Sequence, residues 1–216
     1  MNLILFGPPG AGKGTQAENL AKNYNLHKVS TGDLLRSEID KNTALGNQIK
    51  EIVNKGDFVS DLLINKLIDN LLSKKNFVNR LIFDGYPRTL NQAKMLDVLL
   101  KKFNQKILCV LSLEVEKETI IKRILGRAVC TKCGSIFNEY FNPSTKKNHK
   151  CESRFLQKRS DDNKATIEAR FNNYSQQTLP VLNYYKSMDL LYEVNGMNEI
   201  MTIYKEISLI IEGLKG

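Results

Sequence analysis

The sequence predicts an α/β fold: a five-stranded parallel sheet with helices on both faces and two small lobes inserted into it. Three observations carry that expectation. Short, continuous apolar runs recur along the chain, as strands buried on both faces require. Helical patterns separate those runs, the alternation that produces parallel crossovers. Two segments interrupt the alternation: 30–59, which reads as helical only, and 126–162, which is rich in polar residues, Gly and Cys.

Taken in order, "MNLILF" is the first buried strand, ended sharply by Gly-Pro-Pro-Gly. Lys13 to Tyr24 reads as a helix and "HKVS" as a short second strand. From Thr31 to Lys74 the pattern is helical in pieces, broken near Asn42-Thr43 and Gly56-Asp57. "RLIFD" is the third strand, followed by the helix "LNQAKMLDVLLKKF". "KILCVLSL" is the fourth, followed by the helix "EKETIIKRIL". Lys164 to Met188 reads as one long helix in which Pro180, lacking an N–H, produces a kink. "LLYEVNG" is the fifth strand, and a last helix closes the chain. The expected organisation is a core of 1–29, 60–125 and 163–216, a helical lobe of 30–59, and a second lobe of 126–162.

At 216 residues the chain is long enough for one good core. No apolar run approaches the ~20 residues of a membrane span, and Met1 to Phe6 lacks a basic leader. No membrane association and a cytoplasmic setting are therefore expected. The net charge of +9 points to polyanionic partners, nucleic acid or phosphorylated small molecules. The lysines are dispersed, as on solvated faces, and there is no basic stripe interleaved with aromatic platforms, so nucleic acid is not the expected partner. Cys109 lies in a strand-like apolar run and reads as a buried residue. Cys130, Cys133 and Cys151 lie close together, a pattern that suits a metal better than a disulfide.

"FGPPGAGKGT", Phe6 to Thr15, nearly matches a phosphate loop. Gly7, Gly12 and Lys13 are spaced for one, but Gly14 follows the lysine and the hydroxyl arrives one residue late at Thr15. The physics survives the shift. Backbone N–H groups of Gly10, Ala11, Gly12, Lys13, Gly14 and Thr15 can converge on phosphate oxygens above a helix N-terminus, and Lys13 adds charge. A plain Gly-rich turn is the bland alternative, and the preceding strand, the following helix and the glycine density weigh against it.

"GPPGAGKGT" resembles the glycine-rich loop of adenylate kinases and related nucleoside monophosphate kinases. The resemblance continues through "STGDLLR" (30–36), "FDGYPRT" (83–89), Gln92, "RILGR" (123–127), a Cys-x-x-Cys lobe, and "RSDDN" followed by Arg170. Order and spacing agree with the long form of adenylate kinase over almost the whole chain. The resemblance implies reversible, magnesium-dependent transfer, ATP + AMP = 2 ADP, by a monomer. AMP would lie against Thr31, Arg36, Asp57, Phe58, Val59, Gly85, Tyr86, Pro87, Arg88, Gln92, Arg159 and Arg170. ATP would meet the loop, Arg127, Ile136, Phe137 and Asn198. Lys13, Arg88, Arg123, Arg159 and Arg170 would surround the transferred phosphoryl group. Asp84, a carboxylate ending an apolar strand, would serve the water shell of magnesium, with Asp33 as a second participant or simply a helix cap.

That chemistry needs alignment and positive charge rather than a general base, which agrees with His27 and His149 being the only histidines. Guanidinium groups suit phosphate oxygens bidentately. Arg123 and Arg127, four apart, would share a helical face if the helix continues. Asp161-Asp162 reads as a helix cap, as partners for lobe arginines, or as both.

The cysteine lobe departs from the family pattern. Cys130-Thr-Lys-Cys133-Gly is a zinc half-knuckle, but "NHKCES" offers Cys151 alone where a second pair is usual. Zinc held by Cys130, Cys133, Cys151 and His149, with Glu152 as another fourth-ligand candidate, is the reading; a metal-free lobe is the alternative. Two other functions remain to be separated: a kinase for another nucleoside monophosphate, and a zinc-ribbon nucleic-acid-binding ATPase.

Overall fold

In the computed structural model, which describes residues 1–74 and 77–215, five parallel strands form the central sheet. They are β1 (Asn2–Phe6), β2 (His27–Ser30), β3 (Leu81–Asp84), β4 (Ile107–Glu114) and β8 (Leu191–Asn195), in the order β2-β3-β1-β4-β8. Strand β1 is central because it is apolar on both faces. Ile4 and Phe6 point into one core with Phe83, Val110, Leu96 and Tyr185. Leu3 and Leu5 point into the other with Ile82, Leu111, Leu20 and Ile207. Period-two alternation thus feeds two hydrophobic layers from one five-residue strand. Each such side chain contributes about 1.5–3 kcal/mol by leaving water.

The register places Leu5 beside Asp84 on one side and Leu111 on the other. The carboxyl ends of β1, β3 and β4 therefore come level, and ligands of open parallel sheets gather at that edge. Helix α1 (Lys13–Tyr24) packs with α9 (Ile200–Gly213) on one face. Helices α4 (Asp61–Leu72), α5 (Leu90–Lys102) and α8 (Leu179–Lys186) cover the other.

Two insertions rise from the carboxyl edge. Helices α2 (Thr31–Asp40) and α3 (Ala44–Lys55) pack on each other, capped by Ser30 and Thr43 hydroxyls that accept from Asp33 and Gly46 N–H groups. Asp33 is therefore not the cap. After α6 (Lys117–Leu125) comes a three-stranded antiparallel sheet, order β6-β5-β7, of β5 (Arg127–Cys130), β6 (Ile136–Asn138) and β7 (Leu156–Gln157). Strands this short leave too little periodicity to be read from sequence.

Three sequence expectations are corrected. Helix α6 ends at Leu125, so Arg127 lies on β5 and shares no helical face with Arg123. Asn163, not Asp161 or Asp162, caps α7 (Lys164–Asn173), accepting from the Thr166 N–H. The long helix reaches α8 through a π turn, Tyr174–Thr178, in which the Leu179 N–H bonds back to Tyr174 O. That widened turn directly precedes Pro180, which has no N–H to donate back into the helix and sits in the first turn of α8.

Candidate active site

The loop between β1 and α1 is the floor of the site. Gly10 and Gly12 have φ of 81° and 97°, a region that penalises any side chain. A Cβ on Gly10 would also stand 2.7 Å from Ile124 Cγ1, so α6 holds the loop from behind. Gly14 has no such φ; a Cβ there would lie 3.5 Å from Asp84 Oδ2, which places the β3 carboxylate directly across the loop. Helix α1 begins at Lys13 with no side-chain cap and no acidic residue in its first turn. Its free N–H groups and dipole favour an anion there. Lys13 folds back, Nζ donating to Gly7 O at 2.6 Å and Pro8 O at 2.9 Å. Burial pushes this ammonium down to about 8, with Asp84 opposing and Arg88, Arg127 and Arg170 assisting.

Arginines converge above the loop. Arg88 Nε donates to Gly85 O at 2.8 Å, and its guanidinium stands 5.2 Å from the Phe58 ring centre. Burial and then Arg170 push it down to about 10. Arg159 is likewise driven to about 10 by burial, Arg127 and Arg36. Arg123, lowered by burial, donates to Gly196 O at 2.9 Å and Ala11 O at 3.3 Å. Three cleft arginines have carboxylate partners: Arg127 with Asp162, Arg170 with Asp161, and Arg36 with Asp33. Burial alone would raise Asp161, but Arg170, Arg36 and Arg127 outweigh it and hold it low. These like charges repel one another, an arrangement that suits a polyanion.

The floor, the arginines and both lobes enclose one cleft of about 640 Å³. Apart from Tyr86, every residue expected to touch a nucleotide lines it, including Asp84, Ile136, Phe137 and Asn198. Thr31 Oγ1 donates to Gly85 O at 2.7 Å, and Asp57, Phe58 and Val59 form the wall nearby. Asp33 pairs with Arg36 and lies 3.5 Å from Lys28 Nζ, so it faces cations already in place. The Tyr86 side chain lies apart from the others. It is 1% exposed in the core, its hydroxyl donating to Asn65 Oδ1 at 2.9 Å, and it braces α4 against α5. Pattern reading also missed Gln16, Phe141, Met197 and Met201 on the cleft wall. Gln16, three residues after Lys13, was accessible by helical spacing; the others carried no signal.

In the second lobe, donor atoms of Cys130, Cys133, His149 and Cys151 lie within 4.8 Å of one another. The edge of a tetrahedron with ~2.3 Å zinc–sulfur bonds is roughly 3.8 Å, so the set fits such an ion. His149 Nδ1 is 2.9 Å from Ser144 Oγ, while its buried Nε2 has no protein partner. That leaves Nε2 for a metal, oriented by the serine. The Ser135 hydroxyl and N–H pull the Cys133 thiol down to about 6, towards the thiolate a metal needs. Burial pushes Cys151 up to about 11.

A loop of free N–H groups at a helix start on the sheet's carboxyl edge, facing a carboxylate and a shell of guanidiniums, defines a phosphate-loop nucleotide-binding protein. Comparison with known proteins narrows the class. The family model described as adenylate kinase matches residues 5–190. An adenylate kinase of Pelagibacter ubique is 44% identical over 212 residues, covering 98% of this chain and 100% of that protein. One from Archaeoglobus fulgidus is 40% identical over 217 residues, covering 100% of both chains. One from Enterococcus faecalis is 37% identical over 214 residues, covering 98% of this chain and 99% of its own. The chain belongs to the adenylate kinase family. Among the described residues, no helix is long and apolar enough to cross a membrane.

Proposed function

We propose that this chain catalyses ATP + AMP = 2 ADP, reversibly and with magnesium. The observation that supports this most is the single cleft that runs from the phosphate loop, past Arg88, Arg123, Arg159 and Arg170, to the Thr31 and Gln92 pocket. Its volume suits ligands larger than one small metabolite. The loop N–H groups and Lys13 would hold the β- and γ-phosphates of ATP. Its adenosine would lie towards Arg127, Ile136, Phe137 and Asn198. AMP would enter at Thr31, Arg36, Asp57, Phe58, Val59, Gly85, Pro87 and Gln92. Tyr86, whose side chain is buried, would support that set from beneath.

The AMP phosphate oxygen then attacks the γ-phosphorus in line, and ADP leaves from the far side. The arginines align the two phosphates and offset charge that spreads over the equatorial oxygens. No side-chain base is required. Closure of both lobes over the cleft would exclude water, which would otherwise take the phosphoryl group. The Asp84 carboxylate across from Gly14 suits magnesium that keeps most of its waters, and the bound ion would neutralise charge on the β- and γ-phosphates. The core, the 30–59 lobe and the 126–162 lobe would then be the moving bodies, the last stapled by zinc at Cys130, Cys133, His149 and Cys151 in a structural role.

Coupled measurement of ADP formation from ATP with AMP, GMP, UMP and CMP tests the proposal. AMP is expected to be much the best acceptor. Turnover with another monophosphate alone, or hydrolysis stimulated by DNA or RNA without monophosphate use, overturns it.

A further inference from the structure

Gln92 is 2% exposed, yet its carboxamide faces the cleft. A free carboxamide turns over easily and exchanges its oxygen for its nitrogen. Here both ends are engaged. Oε1 accepts from the Arg88 N–H at 2.7 Å, and Nε2 donates to Asp61 Oδ1 at 2.6 Å. Asp61 opens α4 and is itself anchored, its Oδ2 accepting from Thr89 Oγ1 at 3.1 Å and Asn91 Nδ2 at 3.0 Å. A carboxylate only accepts and a backbone N–H only donates, so the two partners permit one orientation of the amide. Turning it over would set N–H against N–H at Arg88 and oxygen against carboxylate at Asp61.

We propose that Asp61 is a positioning residue for base selection: it locks the Gln92 carboxamide in the orientation that accepts a 6-amino purine monophosphate and rejects a 6-oxo one. This rests on the nucleoside monophosphate reading above. With the two anchors in place, one lone pair on Oε1 and one N–H on Nε2 remain. Adenine offers the complement, an amino donor at position 6 and an acceptor at N1. Hypoxanthine reverses both, with an oxygen at position 6 and an N–H at N1. A locked amide therefore meets IMP with two mismatches, and an amide free to turn meets either base. Asp61 does not line the cleft; it would act through Gln92.

The test is the ratio of kcat/KM for AMP to that for IMP, with ATP as donor, in the unaltered protein and in Asp61→Asn. The asparagine can present a donor to residue 92 and so removes one of the two constraints at equal size, leaving only the Arg88 N–H to oppose the turned-over amide. The ratio is expected to fall by about tenfold, through a higher KM for AMP and a lower KM for IMP, with kcat for AMP within about threefold. A merely structural aspartate would lower stability and leave the ratio untouched, and that result overturns the proposal. Should Asp61→Asn not fold, NMR of the unaltered protein decides. Gln92 side-chain amide protons that exchange far more slowly than those of exposed glutamines support the lock, and exchange at the exposed rate overturns it. Failure of the unaltered protein to use AMP at all strikes the functional reading instead, and calorimetric binding of AMP against IMP still reads the lock.

Discussion

Arg127 holds Asp162 through two guanidinium nitrogens, Nε donating to Oδ2 at 2.8 Å. Arg127 opens β5 and Asp162 directly precedes the Asn163 cap of α7, so the pair clasps the two chain crossings at the base of the 126–162 lobe. The Asp162 side chain is 1% exposed and that of Arg127 17%. Removing one partner of a buried pair strands the other charge. Because asparagine still accepts one hydrogen bond and Arg127 is partly wet, Asp162→Asn is expected to cost about 2 kcal/mol. Calorimetric unfolding checks it, and an unchanged melting temperature contradicts it.

Lys13 gives a pH prediction. Burial holds its ammonium near 8 rather than at the usual 10.5, so the charge is present below that pH and lost as pH rises through it. Phosphate binding needs the charge. kcat/KM for ATP is expected to fall above about pH 8. kcat at saturating ATP should stay flatter, because bound phosphates restore the proton. Lys13→Arg keeps its charge at every accessible pH and should abolish the alkaline fall. A flat profile in the unaltered protein contradicts the assignment.

Arg88 separates stability from activity. It is half-buried and partly desolvated, and Arg170 repels it, so its charge burdens the unliganded fold. Arg88→Met keeps an apolar stem beside Phe58. Its melting temperature should equal or exceed that of the unaltered protein, while kcat/KM for AMP falls by about 10³. Loss of both together would assign Arg88 to the fold instead.

The second lobe has few apolar groups of its own, and Phe137 packs on the His149 ring at 4.7 Å between centres. Purified protein is expected to carry about one zinc per chain, with Cys130→Ser and His149→Ala each losing it. Strong chelators should lower the melting temperature by several degrees, since structural metal binding is folding free energy. Metal analysis near zero for the unaltered protein contradicts this.

The sequence was most informative where one residue type had one role. The runs of β1, β3 and β4 are apolar on both faces and admitted little but a central strand. Gly10 and Gly12, with Lys13 behind them, announced an anion loop because the backbone there tolerates no side chain. It was least informative where the role depends on a neighbour distant in sequence. Tyr86 sits in a motif with cleft residues, yet its ring turns into the core and its hydroxyl finds Asn65. Asp61 looks like any acid in the first turn of a helix, and only the fold brings it 2.6 Å from Gln92. Arg127 followed a helical pattern, but Gly126 ends the helix and a strand of four residues begins. The sequence offered His149 with Glu152 as another candidate, and the geometry favours His149, its Nδ1 turned to Ser144 and its Nε2 left free.

The central claim is that two nucleotides share one cleft, phosphate to phosphate, between the loop at Lys13 and the pocket at Thr31. Inhibition by two adenosines joined through five phosphates tests it most directly. The account predicts one molecule bound per chain and competition against both ATP and AMP. Competition against only one of them, with the other binding undisturbed, would contradict it.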